Sequence, residues 1–216
     1  MLFKDRTAAG QVLAGKLAAY ANRADVLVLA LPRGGVPVAF EIAKALKVPL
    51  DVFLVRKLGV PGQSELAMGA IASGGVRVLN HEIVQGLGLS DATIDTVTAK
   101  EQQELERRDS LYRGNRPFPV VRDRIAILVD DGIATGASMR AAAKALRQQQ
   151  PAQIVVAVPI AAPESCRELA AEVDEIISVE TPQPFYSVGS WYEDFPQTTD
   201  EEVRDLMKQS ETALSM

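Results

Sequence analysis

The sequence predicts an α/β fold, a mostly parallel sheet covered by helices on both faces, with a small appendage. Three observations carry this. Apolar runs such as "DVLVLAL" and "RIAILV" are continuous rather than alternating, as strands buried on both faces require. Segments with helical features separate most of them, the arrangement of a parallel sheet with crossover helices. The chain has 216 residues, 47% of them hydrophobic and 24% charged, enough to bury an ordinary core in one large domain.

Taken in order, Asp5 to Asn22 reads as a helix with Val12, Leu13 and Leu17 on one apolar stripe. "DVLVLAL" follows as a buried strand, then the turn "PRGGVP" and a helix over Val38 to Leu46. "PLDVFLV" has strand length and runs up to Arg56-Lys57, and "LAMGAIA" and "VRVLN" are shorter strand candidates. Ser90 to Arg113 is charged and free of proline, with Ser90 as N-cap of an exposed helix. "PFP" breaks the chain before the strand "RIAILV". The alanine-rich helix "TGASMRAAAKALRQQQ" comes next and stops at Pro151. "QIVVAVPIA" and "EIISVET" are strands around a helix at Pro163 to Glu172. "TTDEEVRDLM" carries a capping box, Thr199 with Glu202.

Composition narrows the functional classes. A net charge of -5 argues against binding nucleic acid by bulk charge, though not against a local basic pocket. The single cysteine, Cys166, allows no intrachain disulfide, which fits a reducing compartment. No apolar stretch approaches the roughly 20 residues that span a bilayer. The expectation is a cytoplasmic protein with small-molecule partners, no nucleic acid and no membrane. No repeat or low-complexity tract is present. Phe185, Tyr186, Trp191, Tyr192 and Phe195 gather after the last core strand, a surface unlike the aliphatic sheet.

Ligands of open parallel sheets bind at the carboxyl ends of strands. The strand "IAILV" delivers Asp130 and Asp131, and then Gly132, Ile133, Ala134, Thr135, Gly136, Ala137 and Ser138 lead into a helix. A helix start offers unpaired N–H groups and a positive dipole end to a phosphate. Ionised carboxylates only accept hydrogen bonds, so their partner should carry hydroxyls. A sugar phosphate meets both demands. The bland alternative is a helix cap beside two solvated acids. After the earlier strand, Arg33 stands with Gly34 and Gly35, a turn suited to a polyanion such as pyrophosphate. Arg56 and Lys57 could neutralise the same group, or form a solvated pair at an ordinary turn. Neither G-x-G-x-x-G nor G-x-x-x-x-G-K-[ST] occurs. His81, the only histidine, reads as structural or superficial.

"ILVDDGIATGAS" resembles the phosphoribosyl pyrophosphate (PRPP) signature of the type I phosphoribosyltransferases, and "LPRGG" is similar to that family's pyrophosphate loop. The match covers Asp25 to Ile160, and stand-alone bacterial members of unknown acceptor are the most similar. The resemblance implies one domain over 1–216. Its five-stranded parallel core spans about 25–180, with a helical insertion over about 80–118 in the flexible-loop position. A hood would come from the N-terminal segment and about 181–216. It implies that Asp130 and Asp131 hold ribose hydroxyls as catalytic residues, Gly132 to Ser138 the 5′-phosphate, and Arg33, Gly34 and Gly35 the pyrophosphate, helped by Arg56 and Lys57. Many members have a non-proline cis peptide in that pyrophosphate loop. "FYSVG" is similar to the hood segment whose aromatic ring stacks on the base, giving Phe185 that place and Trp191 as a second candidate. Aromatics at a domain edge are also often simply core. "EIISVET" ends in Glu180 and Thr181, without the lysine by which hypoxanthine-guanine types read the 6-oxo group.

The activity implied is transfer of a 5-phosphoribosyl group from PRPP to a nitrogenous acceptor, a base or an amine, with release of pyrophosphate. Mg2+ would be the cofactor, carried by PRPP and water near Asp130 and Asp131 rather than by a protein cage. Arg107, Arg108, Arg113 and Arg116 would close over pyrophosphate, or be solvated charges balancing Glu101, Glu104 and Glu106. A homodimer is compatible with all of this. The rival reading is a non-catalytic PRPP or nucleotide sensor on the same fold. A receiver-type signalling domain fits poorly, because the acid pair follows a late strand.

Overall fold

The computed structural model describes residues 2–114 and 116–214. Met1, Asn115, Ser215 and Met216, which fall within the domain, insertion and hood spans expected above, lie outside the described residues.

Five parallel strands form the main sheet: β1 (Val26–Ala30), β2 (Leu50–Val52), β6 (Ile125–Val129), β7 (Gln153–Ile160) and β8 (Glu175–Glu180), in the order β2-β1-β6-β7-β8. Chain direction across the sheet reverses at β1. The chain steps one way to β2 and the other way to β6 and beyond, so the crevice between β1 and β6 is a topological switch point.

β1 and β6 are buried at every position and feed two cores. Val26, Val28, Ala30, Ile125, Ile127 and Val129 face one core, and Leu27, Leu29, Ala126 and Leu128 the other. Two-sided burial is why these runs show no alternation in sequence although their side chains alternate in space.

The helices are α1 (Arg6–Lys16), α2 (Gly35–Leu46), α3 (His81–Gly86), α4 (Asp91–Arg113), α5 (Ala137–Gln148), α6 (Pro163–Leu169) and α7 (Asp200–Leu214). Asp5 caps α1 by accepting from Ala8 N at 2.7 Å, and Ser90 caps α4 by accepting from Thr93 N at 3.2 Å. The capping box of α7 forms: Glu202 accepts from Thr199 N at 2.6 Å and Thr199 Oγ1 from Glu202 N at 3.1 Å.

Several expectations need correction. The first helix stops at Lys16 and a 3-10 turn, Ala18–Tyr20, follows it. Its buried face is Ala9, Gly10, Leu13 and Ala14, with Val12 outside. The reason is close approach to α2, since a Cβ on Gly10 would stand 2.7 Å from Val38 O. α2 begins at Gly35, three residues before the expected Val38, and α3, inside the helical insertion expected over about 80–118, was not read as a separate helix.

The run "PLDVFLV" is not one strand. β2 ends at Val52, and after Phe53 and Leu54 the chain enters an antiparallel sheet of β3 (Val55–Val60), β4 (Gln63–Ala72) and β5 (Val76–Leu79). Phe53 N still donates to Ala30 O, while Leu54 N already donates to Ser73 Oγ of the second sheet, so the crossing is buried and hydrogen-bonded throughout. This small sheet packs against α5, and α4 lies along β3 and α7. No helix among the described residues is long and apolar enough to cross a membrane.

Candidate functional site

The turns leaving β1 and β6 meet at the switch point. Gly34 has ordinary helical angles (φ -60°, ψ -30°), so backbone conformation does not demand a glycine there. Space does: a Cβ on Gly34 would lie 2.0 Å from Asp131 Oδ2, and one on Gly35 would lie 2.6 Å from Val129 O. The Arg33-Gly34-Gly35 turn therefore rests directly on the acid pair. The Pro32–Arg33 peptide that precedes it is cis.

Asp130 and Asp131 sit at the end of β6. Asp130 Oδ1 accepts from Asp131 N at 2.8 Å, folding the first carboxylate back over the turn. Burial, and after it the neighbouring Asp131 charge, pushes the Asp130 carboxyl well above the usual carboxylate range. Burial also raises Asp131, but Arg6 opposes it, with Nε donating to Oδ2 at 2.8 Å. Tyr192 Oη donates to the Asp131 carbonyl at 2.6 Å, and burial drives that phenol up from its ordinary value.

The loop that follows behaves as a helix entrance. Gly132 is packed so tightly that a Cβ would meet Val188 Cγ1 at 2.5 Å and Ile160 Cγ2 at 2.7 Å. Ile133 is buried and its N donates to Ile160 O at 2.9 Å, tying the loop to β7. Gly136, at φ +70°, takes the left-handed conformation that starts α5. Ala134, Thr135, Ala137 and Ser138 are exposed around it. Arg140 pairs with Glu168 and donates to Thr135 O, bracing the loop from behind.

A cavity of about 120 Å3 opens beside these turns, lined by Pro32, Arg56, Arg108, Asp130 and Ser138 over an apolar floor that includes Phe53 and Leu105. Here the placement expected for Arg56 and Lys57 is corrected. They lie inside β3 rather than at the end of a parallel strand, and successive strand residues point to opposite faces. Arg56 reaches the cavity and is held by Glu101 at 2.6 Å, whereas Lys57 is not among its lining residues and pairs with Glu65 at 3.6 Å.

The arginines of α4 and of the segment after it divide. Arg107 and Arg108 share Glu104, whose carboxyl they hold down at about 2. Arg116 pairs with Glu211 at 2.7 Å. Arg113 is no solvated charge: it is buried against Asp51, Asp109 and Val52 O. Arg33 stands 3.7 Å from Asp200 at the start of α7, and Asp200 also accepts from Tyr112 Oη.

Phe185 and Trp191 are both half-buried against a small cluster of Phe3, Ala9, Ile160 and Tyr192, and Tyr186 is exposed. His81 is an exposed residue at the start of α3.

Sequence reasoning missed Arg6, Tyr192 and Asp200. Arg6 and Asp131 are 125 positions apart, and only the fold brings them together. Asp200 had a faint signal, since it follows the capping Thr199 and must sit at a helix entrance.

A family model for the phosphoribosyl transferase domain matches residues 4–190. Two relatives from Mycobacterium tuberculosis strains, both provisionally named phosphoribosyl transferases, are 50% identical over 202 residues. That match covers 94% of this chain but 45% of the relatives, so the chain spans less than half their length. The crystal structure of TT1426 from Thermus thermophilus is 42% identical, covers 97% of this chain and 99% of that one, and superposes with a TM-score of 0.86. The AQ2163 protein from Aquifex aeolicus shares the fold at 13% identity, with a TM-score of 0.52 over 94% of this chain and 84% of that one. By its sequence, its five-stranded parallel sheet and the turns gathered at the switch point, the chain belongs to the phosphoribosyl transferase domain family.

Proposed function

We propose that this protein transfers a 5-phosphoribosyl group from PRPP to a nitrogenous acceptor and releases pyrophosphate. The observation that carries the reading is the contact between two turns of opposite charge. The Arg33-Gly34-Gly35 turn and the Asp130-Asp131 turn leave neighbouring strands at the switch point and touch through Gly34 and Gly35. A ligand filling this crevice would meet acids, a helix entrance and a cation together. Those are the requirements of a sugar hydroxyl pair, a terminal phosphate and a pyrophosphate.

In this reading the N–H groups of the Gly132 to Ser138 loop and the start of α5 receive the 5′-phosphate, apart from that of Ile133, which is already donated to Ile160 O. Asp130 and Asp131 accept the ribose hydroxyls. Hydroxyl donors favour a charged carboxylate, so a bound sugar supplies what burial withholds from Asp130 in the free protein. Arg33, with the amides of Arg33 and Gly34, receives pyrophosphate, the Gly35 amide being donated to Leu31 O, and Arg56 at the cavity wall adds a second cation. Departure of pyrophosphate leaves positive character on the ribose, which two fixed carboxylates are placed to stabilise. The acceptor would approach from the side of Phe185 and Trp191.

Mg2+ fits the donor chemistry only as a substrate-borne ion. Asp130 and Asp131 offer hard oxygens, but among the described residues no three His, Cys, Asp or Glu side chains converge on one point. Bound with PRPP, Mg2+ would neutralise the leaving pyrophosphate.

The test is release of pyrophosphate from PRPP with Mg2+, run against a panel of nucleobases and small amines. Release that depends on one acceptor supports transfer. Tight PRPP binding with no release from any acceptor would leave the sensor reading instead.

A further inference from the structure

Arg6 occupies a place that a cation ordinarily avoids. It is the first residue of α1, where the helix dipole disfavours positive charge, and its side chain is only 11% exposed. Its surroundings account for it. Nε donates to Asp131 Oδ2 at 2.8 Å, Nη1 donates to Pro196 O at 2.6 Å, and the guanidinium lies over the Phe195 ring, with Cζ 3.8 Å from its centroid. Phe195 is stacked on Tyr192 at 4.8 Å, and Tyr192 Oη holds the Asp131 carbonyl. One acid is thus gripped at its carboxylate by α1 and at its backbone by the segment after β8. Its Oδ2 in turn lies where a Cβ of residue 34 would have to be.

We infer that Arg6 is a positioning residue for the sugar end of the site. It fixes Asp131 against Gly34 through Oδ2, so that Oδ1 is the oxygen that meets a ribose hydroxyl. The guanidinium suits this role, since its Nε–H serves the carboxylate while its Cζ sits over the aromatic ring. Some of the aromatic residues after the last strand thereby act on the acid pair through Arg6, rather than on an acceptor. The inference rests on the proposed PRPP site and extends it to a residue 125 positions from Asp131.

A metal-free binding experiment tests it. Ribose 5-phosphate and inorganic phosphate are titrated into the wild type, Arg6→Met, Arg6→Lys and Phe195→Leu. Methionine keeps an apolar stem against Phe195 but removes the charge and the donors. Arg6→Met should weaken ribose 5-phosphate by at least about tenfold, the scale of one charged hydrogen bond, and leave inorganic phosphate within about twofold. Arg6→Lys should restore a good part of the loss. Phe195→Leu, which leaves both Arg6 and Asp131 in place, should show a smaller loss for the same ligand alone and serves if Arg6→Met does not fold. Equal weakening of both ligands, or no weakening of either, overturns the inference. A wild type that binds ribose 5-phosphate no better than phosphate overturns the proposed function, and this inference with it. A wild type that discriminates, paired with an Arg6→Met variant that discriminates equally, overturns only the role of Arg6.

Discussion

Asp130 carries a cost that the fold offsets only in part, through the Asp131 N–H and the charge of Arg6. Its carboxyl is raised by burial first and by the Asp131 charge second, whereas Asp131 has Arg6 beside it. The sign of the pH effect follows. An acid whose folded pKa is raised contributes its stability below the ordinary carboxylate range, and that contribution is lost as pH rises through the raised value. At neutral pH the free protein therefore bears the penalty. Asp130→Asn keeps an oxygen to accept from Asp131 N and removes the charge. Its melting temperature should exceed that of the wild type at pH 7, and the difference should shrink towards about pH 4, near the ordinary aspartate value. Ribose 5-phosphate binding should fall in the same variant. A variant less stable than the wild type at pH 7 would mean that the charge is compensated. Gly34 makes a second test at this scale, because its need for a bare Cα comes from Asp131 and not from its dihedral angles. Gly34→Ala should cost about 1–3 kcal/mol, the usual penalty of overpacking. It should weaken PRPP binding as well, both measurable by denaturation and titration. Unchanged PRPP affinity would show that the two turns can part without consequence.

Among the elements, α4 shows both how the sequence could be read and where it could not. Its start, its N-cap and its end at Arg113 follow from Ser90, the charge pattern and the lack of proline, and the structure gives Asp91–Arg113. Which of its charges are buried was hidden, because Arg107, Arg108 and Arg113 look alike in one dimension. Arg113 pins the helix to the end of β2 through Asp51 and Val52 O, and Tyr112 joins it to α7 through Asp200. The antiparallel sheet was harder still. β4 begins with three exposed residues and carries no alternation, and the crossing at Phe53-Leu54 has no glycine or proline to mark it. The parallel strands were legible because two-sided burial writes itself as an unbroken apolar run. Tyr112 makes the link between α4 and α7 testable. Burial, then its hydrogen bond to Asp200, raises its phenol to about 12. Stability from this group is complete below the ordinary tyrosine value of about 10 and is lost as pH climbs through the raised one. Tyr112→Phe should be less stable than the wild type at pH 8, and the gap should close between about pH 10 and 12. A gap that stays constant over that window would leave the phenol without a part in joining the helices.

At the scale of the whole molecule, the proposed function depends on bringing together turns from strands far apart in sequence. The individual motifs were legible: Asp130 and Asp131 before a loop of small residues, Arg33 before two glycines. Their contact was not, because it depends on β1 and β6 being neighbours at the point where the sheet reverses. Arg6 and Asp200 escaped for the same reason, each being supplied by a helix whose place only the assembled fold decides. If the two turns form one site, a ligand that spans both should bind more tightly than one that fills half. Ribose 5-phosphate offers a phosphate and hydroxyls to the β6 side alone, while PRPP adds a pyrophosphate that can reach Arg33. With Mg2+ present, PRPP should bind at least about tenfold more tightly than ribose 5-phosphate, since one charge-assisted hydrogen bond is worth roughly 1.5–3 kcal/mol. The melting temperature should rise accordingly by mass action, but dissociation constants decide the matter because equal shifts can arise at unequal saturation. Arg33 holds no buried structural post, being a third exposed and 3.7 Å from Asp200, so Arg33→Met should fold normally. In that variant PRPP affinity should drop towards that of ribose 5-phosphate, and ribose 5-phosphate itself should bind as before. A wild type that binds the two ligands equally would remove the Arg33 turn from the pyrophosphate site. A variant that loses both would instead make Arg33 a support of the acid turn beneath it.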